Sequence, residues 1–94
     1  MNPIISIVVP CFNEEEAIPI FYNETLKVLN NISIKSFEFV FVDDGSSDKT
    51  LDVLHDLVSK DKNVHFVSFS RNFGKEAALY AGLSKACGDF ISVM

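Results

Sequence analysis

Cysteines and basic residues are scarce in this 94-residue chain. Its two cysteines, Cys11 and Cys87, stand far apart and form no Cys-x-x-Cys pattern. That argues against a disulfide and predicts two reduced thiols. Eight Lys and Arg against thirteen Asp and Glu give a net charge of −5. With no cluster of basic side chains, this balance argues against a nucleic-acid backbone as partner and against electrostatic docking of this segment on an anionic membrane. No stretch approaches the ~20 apolar residues of a membrane span. The opening Met1-Asn2-Pro3-Ile4-Ile5 lacks the basic region of a signal peptide, and Pro10 interrupts the apolar run that follows. Walker-type Gly-x4-Gly-Lys-Ser/Thr and Gly-x-Gly-x-x-Gly patterns are missing, as are internal repeats and linkers.

What is present is a globular composition, 48% hydrophobic and 22% charged, sized for one small domain with a thin stability margin. Four β-rich runs, Ile4–Val9, Phe37–Val42, Val64–Phe69 and Phe90–Met94, are nearly continuous in apolar residues. Such runs suit strands buried on both faces, as in parallel sheets. Helical periodicity separates them. Ile18, Phe21, Tyr22, Leu26 and Leu29 recur near a 3.6 period, with Pro19 expected at the first helical position. Leu51, Leu54, Leu57 and Val58 form a second stripe, capped by Ser47 or Asp48. Ala77, Ala78, Ala81, Leu83 and Ala86 form a small-residue helix with Gly88 as its stop. The βαβαβαβ pattern predicts an α/β fold: a Rossmann-like parallel sheet with helices on both faces. The expected strand order is 3-2-1-4, with the first two helices on one face and the third on the other.

Sheets of this kind bind ligands at the carboxyl ends of their strands, and the unusual residues of this chain lie in those loops. After the first strand comes Pro10-Cys11-Phe12-Asn13-Glu14-Glu15-Glu16. Pro10 is expected to end the ladder, having no N–H to donate. Phe12 offers a flat apolar face. The acidic run reads either as a solvated helix entry or as Glu14 or Glu15 accepting a ligand's N–H or hydroxyl groups. After the second strand, Asp43 and Asp44 precede Gly45-Ser46-Ser47. Adjacent carboxylates repel unless a cation or donors lie nearby, so this pair is a candidate site. After the third strand, Arg71 presents a planar fork suited to phosphate or carboxylate, or pairs with a neighbouring acid. Gly74 and Lys75 open the following helix, where anions are favoured. His55 and His65 lack partners at metal-ligand spacing and read as structural.

In chain order, Ile7-Val8-Val9-Pro10-Cys11-Phe12-Asn13-Glu14-Glu15, Val42-Asp43-Asp44-Gly45-Ser46-Ser47-Asp48-Lys49-Thr50, Arg71-Asn72-Phe73-Gly74-Lys75, Ala81-Gly82-Leu83 and Gly88-Asp89-Phe90-Ile91 resemble the GT-A-type family 2 glycosyltransferases. The resemblance is nearest to the polyprenyl-phosphate sugar transferases, a subgroup that includes bactoprenol glucosyltransferases and dolichol-phosphate mannosyltransferases. It implies that Pro10, Phe12 and Glu14 or Glu15 line a nucleobase pocket. It implies that Asp44, with Asp43, bonds the uracil or ribose, and that Arg71 and Lys75 sit near the base and phosphates. The implied activity is inverting transfer of a hexose from a UDP- or GDP-sugar to a polyprenyl phosphate at the cytoplasmic face. The family's Asp-x-Asp motif for Mg²⁺ or Mn²⁺, and its catalytic carboxylate, are expected beyond residue 94. The 94 residues are therefore expected to be the nucleotide-sugar-binding part of a longer enzyme and inactive alone. Any membrane anchor is expected outside them, and self-association through the fourth strand is expected.

Two alternatives stand beside this. A receiver-type module would carry its acidic pair after the first strand and its phosphoacceptor Asp after the third. Here the pair follows the second strand and Arg71 the third. The other alternative is a structural piece that folds and binds nothing.

Overall fold

The computed structural model describes residues 4–33, 36–88 and 90–93; Met94 of the fourth run and Asp89 of its motif lie outside them. Its elements are β1 (Ile5–Cys11), α1 (Ala17–Asn31), β2 (Phe37–Asp43), α2 (Thr50–Lys60), β3 (Val64–Ser68), α3 (Lys75–Lys85) and β4 (Phe90–Val93). The four strands form one parallel sheet in the order β3-β2-β1-β4. No helix among the described residues is long and apolar enough to cross a membrane.

Side chains alternate across a strand, and the two faces of this sheet are covered differently. Ile7 and Cys11 of β1, Phe39 and Phe41 of β2 and Val64 of β3 form one core with Ile18 and Leu29 of α1 and Leu54 and Leu57 of α2. Four rings surround Phe39: Phe21, Tyr22, Phe37 and Phe41, with centroids 5.3 to 6.4 Å away. On the opposite face lie Val8, Val40 and Val42, all fully buried, against α3. A Cβ on Gly82 would stand 2.4 Å from Val8 Cγ1 and 3.1 Å from Val42 Cγ2, so this helix lies close because its inner surface is small.

Three local expectations are corrected, and of the two residues expected to cap α2 it is Asp48 that does so. Pro10 does not end β1; it pairs in register with Val42, and the strand continues to Cys11. The Ile5 N–H donates to the Ser36 carbonyl and the Cys11 carbonyl accepts from Asp44 N–H, so odd positions of β1 turn towards β2. Pro10 therefore faces away from β2, and its missing N–H removes no bond between β1 and β2. Next, α1 begins at Ala17, with Pro19 inside the first turn, where N–H groups have no intrahelical partner anyway. Formally, α2 follows Lys49 with no side-chain cap from that residue; Asp48 one step earlier accepts the Thr50 N–H at 2.9 Å, while Ser47 turns to Asn13. Last, α3 ends at Lys85, before Gly88. Gly88 instead lies against β1, where a Cβ would come within 2.4 Å of Ser6 Oγ.

The last contact belongs to a buried polar cluster at the amino ends of the strands. The Glu38 carboxylate accepts from the Ser6 hydroxyl and from Cys87 N–H at 2.7 Å, with His65 Nε2 at 3.5 Å. Gly88 N–H donates to Ser6 Oγ at 2.8 Å. A carboxylate this buried is tolerated because donors surround it. His65 thus has a structural place, as does His55, whose ring meets Phe66 edge-on at 4.9 Å.

One acidic proton in the core and one at its edge set an alkaline limit on stability. Burial pushes the Cys11 thiol up from 9.0 to about 12, and the Asp43 charge adds to it. Burial also raises the Tyr22 hydroxyl from 10.0 to about 12, helped by its hydrogen bond to the Asp61 carboxylate. The unfolded chain releases both protons more easily than the folded one. Their contribution is therefore complete below about pH 9 and is lost as pH rises towards 12. The urea midpoint should be flat from pH 7 to 9 and fall above it. Cys11→Ala should flatten that fall more than Tyr22→Phe, since solvent screens the less buried hydroxyl. A midpoint that rises above pH 9 would contradict this.

Candidate functional site

The loop after β1 is fastened to the loop after β2 by bonds that span more than thirty residues. Asn13 takes a left-handed conformation, φ 54°, which asparagine tolerates better than most residues. Its N–H donates to Ser46 Oγ at 2.9 Å. Its Oδ1 accepts from Ser47 N–H at 2.8 Å and from Asp48 N–H at 3.3 Å. Glu14 N–H donates to Thr50 Oγ1 at 2.9 Å and Glu15 N–H to Asp48 Oδ2 at 3.3 Å. The acidic run is thus fixed through its backbone, leaving its side chains free of that task.

The two adjacent aspartates have separate fates. Asp43 is buried and its carboxylate accepts Ser46 N–H within its own turn. Asp44 is also buried, and its Oδ1 accepts Phe73 N–H at 2.8 Å from the loop after β3. Backbone donors thus offset the repulsion expected of the pair. Arg71 forms no ion pair among the described residues. Its guanidinium lies over the Phe73 ring, 4.7 Å from the centroid, a cation–π contact that replaces the acid pairing considered from sequence.

These loops enclose a cleft of about 220 Å³ lined by Pro10, Cys11, Phe12, Glu14, Asp44 and Lys75. Phe12 remains 46% exposed, so its ring is open to a ligand. Of the residues singled out in the sequence, the structure brings Pro10, Phe12, Glu14, Asp44 and Lys75 together. Arg71 stands outside that lining. Glu15 is held beside α2 through its N–H, and the Asp43 side chain points into its own turn. Cys11 and Asn13 were not among the candidates. Cys11 lines the cleft with a thiol kept protonated by burial, and Asn13 clamps the loops. Asn13's partners lie 33 to 35 positions away, beyond any local pattern. Chemically, Asp44 and Glu14 offer acceptors for N–H and O–H groups, Pro10 and Phe12 an apolar face, and Lys75 a counter-charge for an anion. Among the described residues no three His, Cys, Asp or Glu side chains converge as metal ligands. The described residues therefore do not by themselves fit a divalent metal.

The profile described as Glycosyl transferase family 2 matches residues 6–94. The chain belongs to this family. Membership sets aside the receiver-type alternative, and the solved neighbours agree with the α/β parallel sheet. A prophage bactoprenol glucosyl transferase homolog of Escherichia coli K12 is 52% identical over 87 residues, covering 93% of this chain and 28% of that protein. The chain thus spans little more than a quarter of the length of such relatives. The structure of TarS from S. aureus in complex with UDP is 27% identical, with a TM-score of 0.69 over 96% of this chain and 26% of TarS. The mannosyltransferase PcManGT from Pyrobaculum calidifontis, solved with GDP-Man and Mn²⁺, has a TM-score of 0.69 at 24% identity over 97% of this chain and 26% of its own length. That last likeness is one of fold.

Proposed function

We propose that these residues form the donor-nucleotide site of an inverting glycosyltransferase that moves a hexose from a UDP- or GDP-sugar to a polyprenyl phosphate. The observation that carries this is the cleft itself: an exposed aromatic, a buried carboxylate and a lysine converge at the carboxyl edge of a parallel sheet. Phe12 and Pro10 would stack on the base, Asp44 would accept its N–H, Glu14 would reach the base or ribose hydroxyls, and Lys75 and Arg71 would face the phosphates. The 52% identity to a bactoprenol glucosyl transferase homolog supports the lipid-phosphate acceptor. An acceptor phosphate is already ionised, so attack on the sugar needs little help from a base. A divalent cation would supply Lewis-acid stabilisation of the leaving diphosphate when bound.

Asp44 also bears on which base is taken. Its Oδ1 already holds Phe73 N–H, which leaves one oxygen uncommitted. Uracil offers a single ring N–H between two carbonyls and fits one acceptor. Guanine offers two parallel donors on one edge and would leave one poorly paired, at a cost of about 1–3 kcal/mol. Titration calorimetry with UDP and GDP should therefore give about tenfold tighter binding of UDP. Equal or reversed affinities would refute the uracil preference, and no binding of either would refute the donor-site proposal.

A further inference from the structure

We infer that Gly45, together with the shared Asp44 carboxylate, positions Arg71 and Phe73 as a pre-formed wall beside the nucleotide cleft, next to the Asp44 and Lys75 that line it. The inference rests on the donor-site proposal for what the wall faces, but the wall itself is a property of the empty protein. Three contacts hold it. Phe69 N–H donates to the Asp43 carbonyl at 2.9 Å and Phe73 N–H to Asp44 Oδ1 at 2.8 Å. Between these two ties, the backbone of Arg71 and Asn72 rests directly on Gly45. A Cβ built there would lie 2.1 Å from the Arg71 carbonyl carbon, 2.3 Å from Asn72 N and 2.6 Å from the Arg71 oxygen. All three are main-chain atoms, so no side chain can swing away to make room. Gly45 also has φ +72°, a conformation open to glycine and, less easily, to asparagine.

The rings complete the arrangement. Phe69 meets Phe73 edge-on at 5.5 Å, and the Arg71 guanidinium stacks on Phe73. An exposed arginine without an acid partner would ordinarily sample many rotamers, and fixing it on binding would cost affinity. Here the backbone beneath it and the ring beside it are set before a ligand arrives. Any side chain at position 45 must lift the Arg71–Asn72 segment away from β2. That lengthens the Asp44–Phe73 bond and carries the guanidinium off the rim. Asp44 then has two jobs in one carboxylate, holding the wall with one oxygen and presenting the other to the ligand.

The test compares the chain with Gly45→Ala, Gly45→Asn, Asp44→Ala and Asp44→Asn, reading amide hydrogen exchange and UDP affinity. In the unsubstituted chain the Phe73 amide should be protected without ligand. Gly45→Ala should lose about tenfold of that protection and about tenfold in UDP affinity, while the Phe39 and Val40 amides stay protected and report an intact fold. Gly45→Asn should fail as Gly45→Ala does, because the collision is with Cβ and not with the backbone angle. Asp44→Asn keeps an acceptor and should keep Phe73 protected, whereas Asp44→Ala should not. A freely exchanging Phe73 amide in the unsubstituted chain would overturn the inference. So would Gly45→Ala binding UDP normally, or Gly45→Asn behaving like the original. If the unsubstituted chain binds no UDP, the donor-site proposal fails, and Phe73 exchange in Gly45→Ala alone decides whether the wall exists.

Discussion

Phe39→Ala is expected to remove a third or more of the stability of this chain. Phe39 is fully buried in the middle strand pair, and four rings close around it. Truncating a buried phenylalanine costs about 3–5 kcal/mol through lost transfer energy and an unfilled cavity. The edge-on and stacked contacts with its neighbours add to that. A domain of this size has about 5–15 kcal/mol in all. The neighbours cannot collapse easily into the gap, since Phe41 and Phe37 are fixed by the ladder and Phe21 and Tyr22 by α1. Urea unfolding should show the midpoint falling by several tenths of its value. Tyr80→Ala, at a side chain 76% exposed on α3, should change stability by less than about 0.5 kcal/mol. Equal effects from the two would mean the aromatic cluster is not the centre of the core.

The layered architecture is legible in the sequence because each element carries its own periodic signal. Phe37 to Val42 reads as a strand buried on both faces, and each of its residues beyond Phe37 is buried. Ala77, Ala78 and Ala81 mark a small-residue helix that can approach the sheet; within it Ala78 and Gly82 are the buried positions, Gly82 against Val8 and Val42. The errors fall where long-range context decides a local question. Pro10 looked like a strand end because it cannot donate, yet its backbone turns away from β2, so the β1–β2 ladder runs past it. Gly88 looked like a helix stop, yet its constraint comes from Ser6, 82 positions away.

The site is legible to the same extent. Phe12, Glu14, Asp44 and Lys75 announce themselves as polar or aromatic residues at strand ends, and the cleft gathers them. What holds them there is not local. Asn13 reaches Ser46, Ser47 and Asp48, Thr50 takes Glu14 N–H, and Asp44 reaches Phe73. Two neighbouring aspartates with like sequence signals part company for the same reason. Asp43 finds its donor three residues on, and Asp44 finds one 29 residues on, in the loop beside the cleft.

The account is tested most directly at Asp44. The residue is 4% exposed and lines the cleft, and its carboxylate accepts Phe73 N–H. Asp44→Ala removes the acceptor proposed for the base and the tie that holds the loop beside the cleft. Each hydrogen bond to a charged group contributes about 1.5–3 kcal/mol, so UDP affinity should fall by roughly a hundredfold or more. The deciding measurement is an NMR titration of the chain with UDP, run beside the Asp44→Ala variant. In the unsubstituted chain the signals of Phe12, Asp44, Arg71 and Lys75 should shift together and saturate along one curve, and those of Glu38, His65 and Cys87 at the far end of the strands should stay still. In Asp44→Ala the same concentrations should leave the spectrum unmoved. Shifts confined to the Glu38 end, or an Asp44→Ala chain that saturates as readily as the original, would contradict the placement of the nucleotide in this cleft.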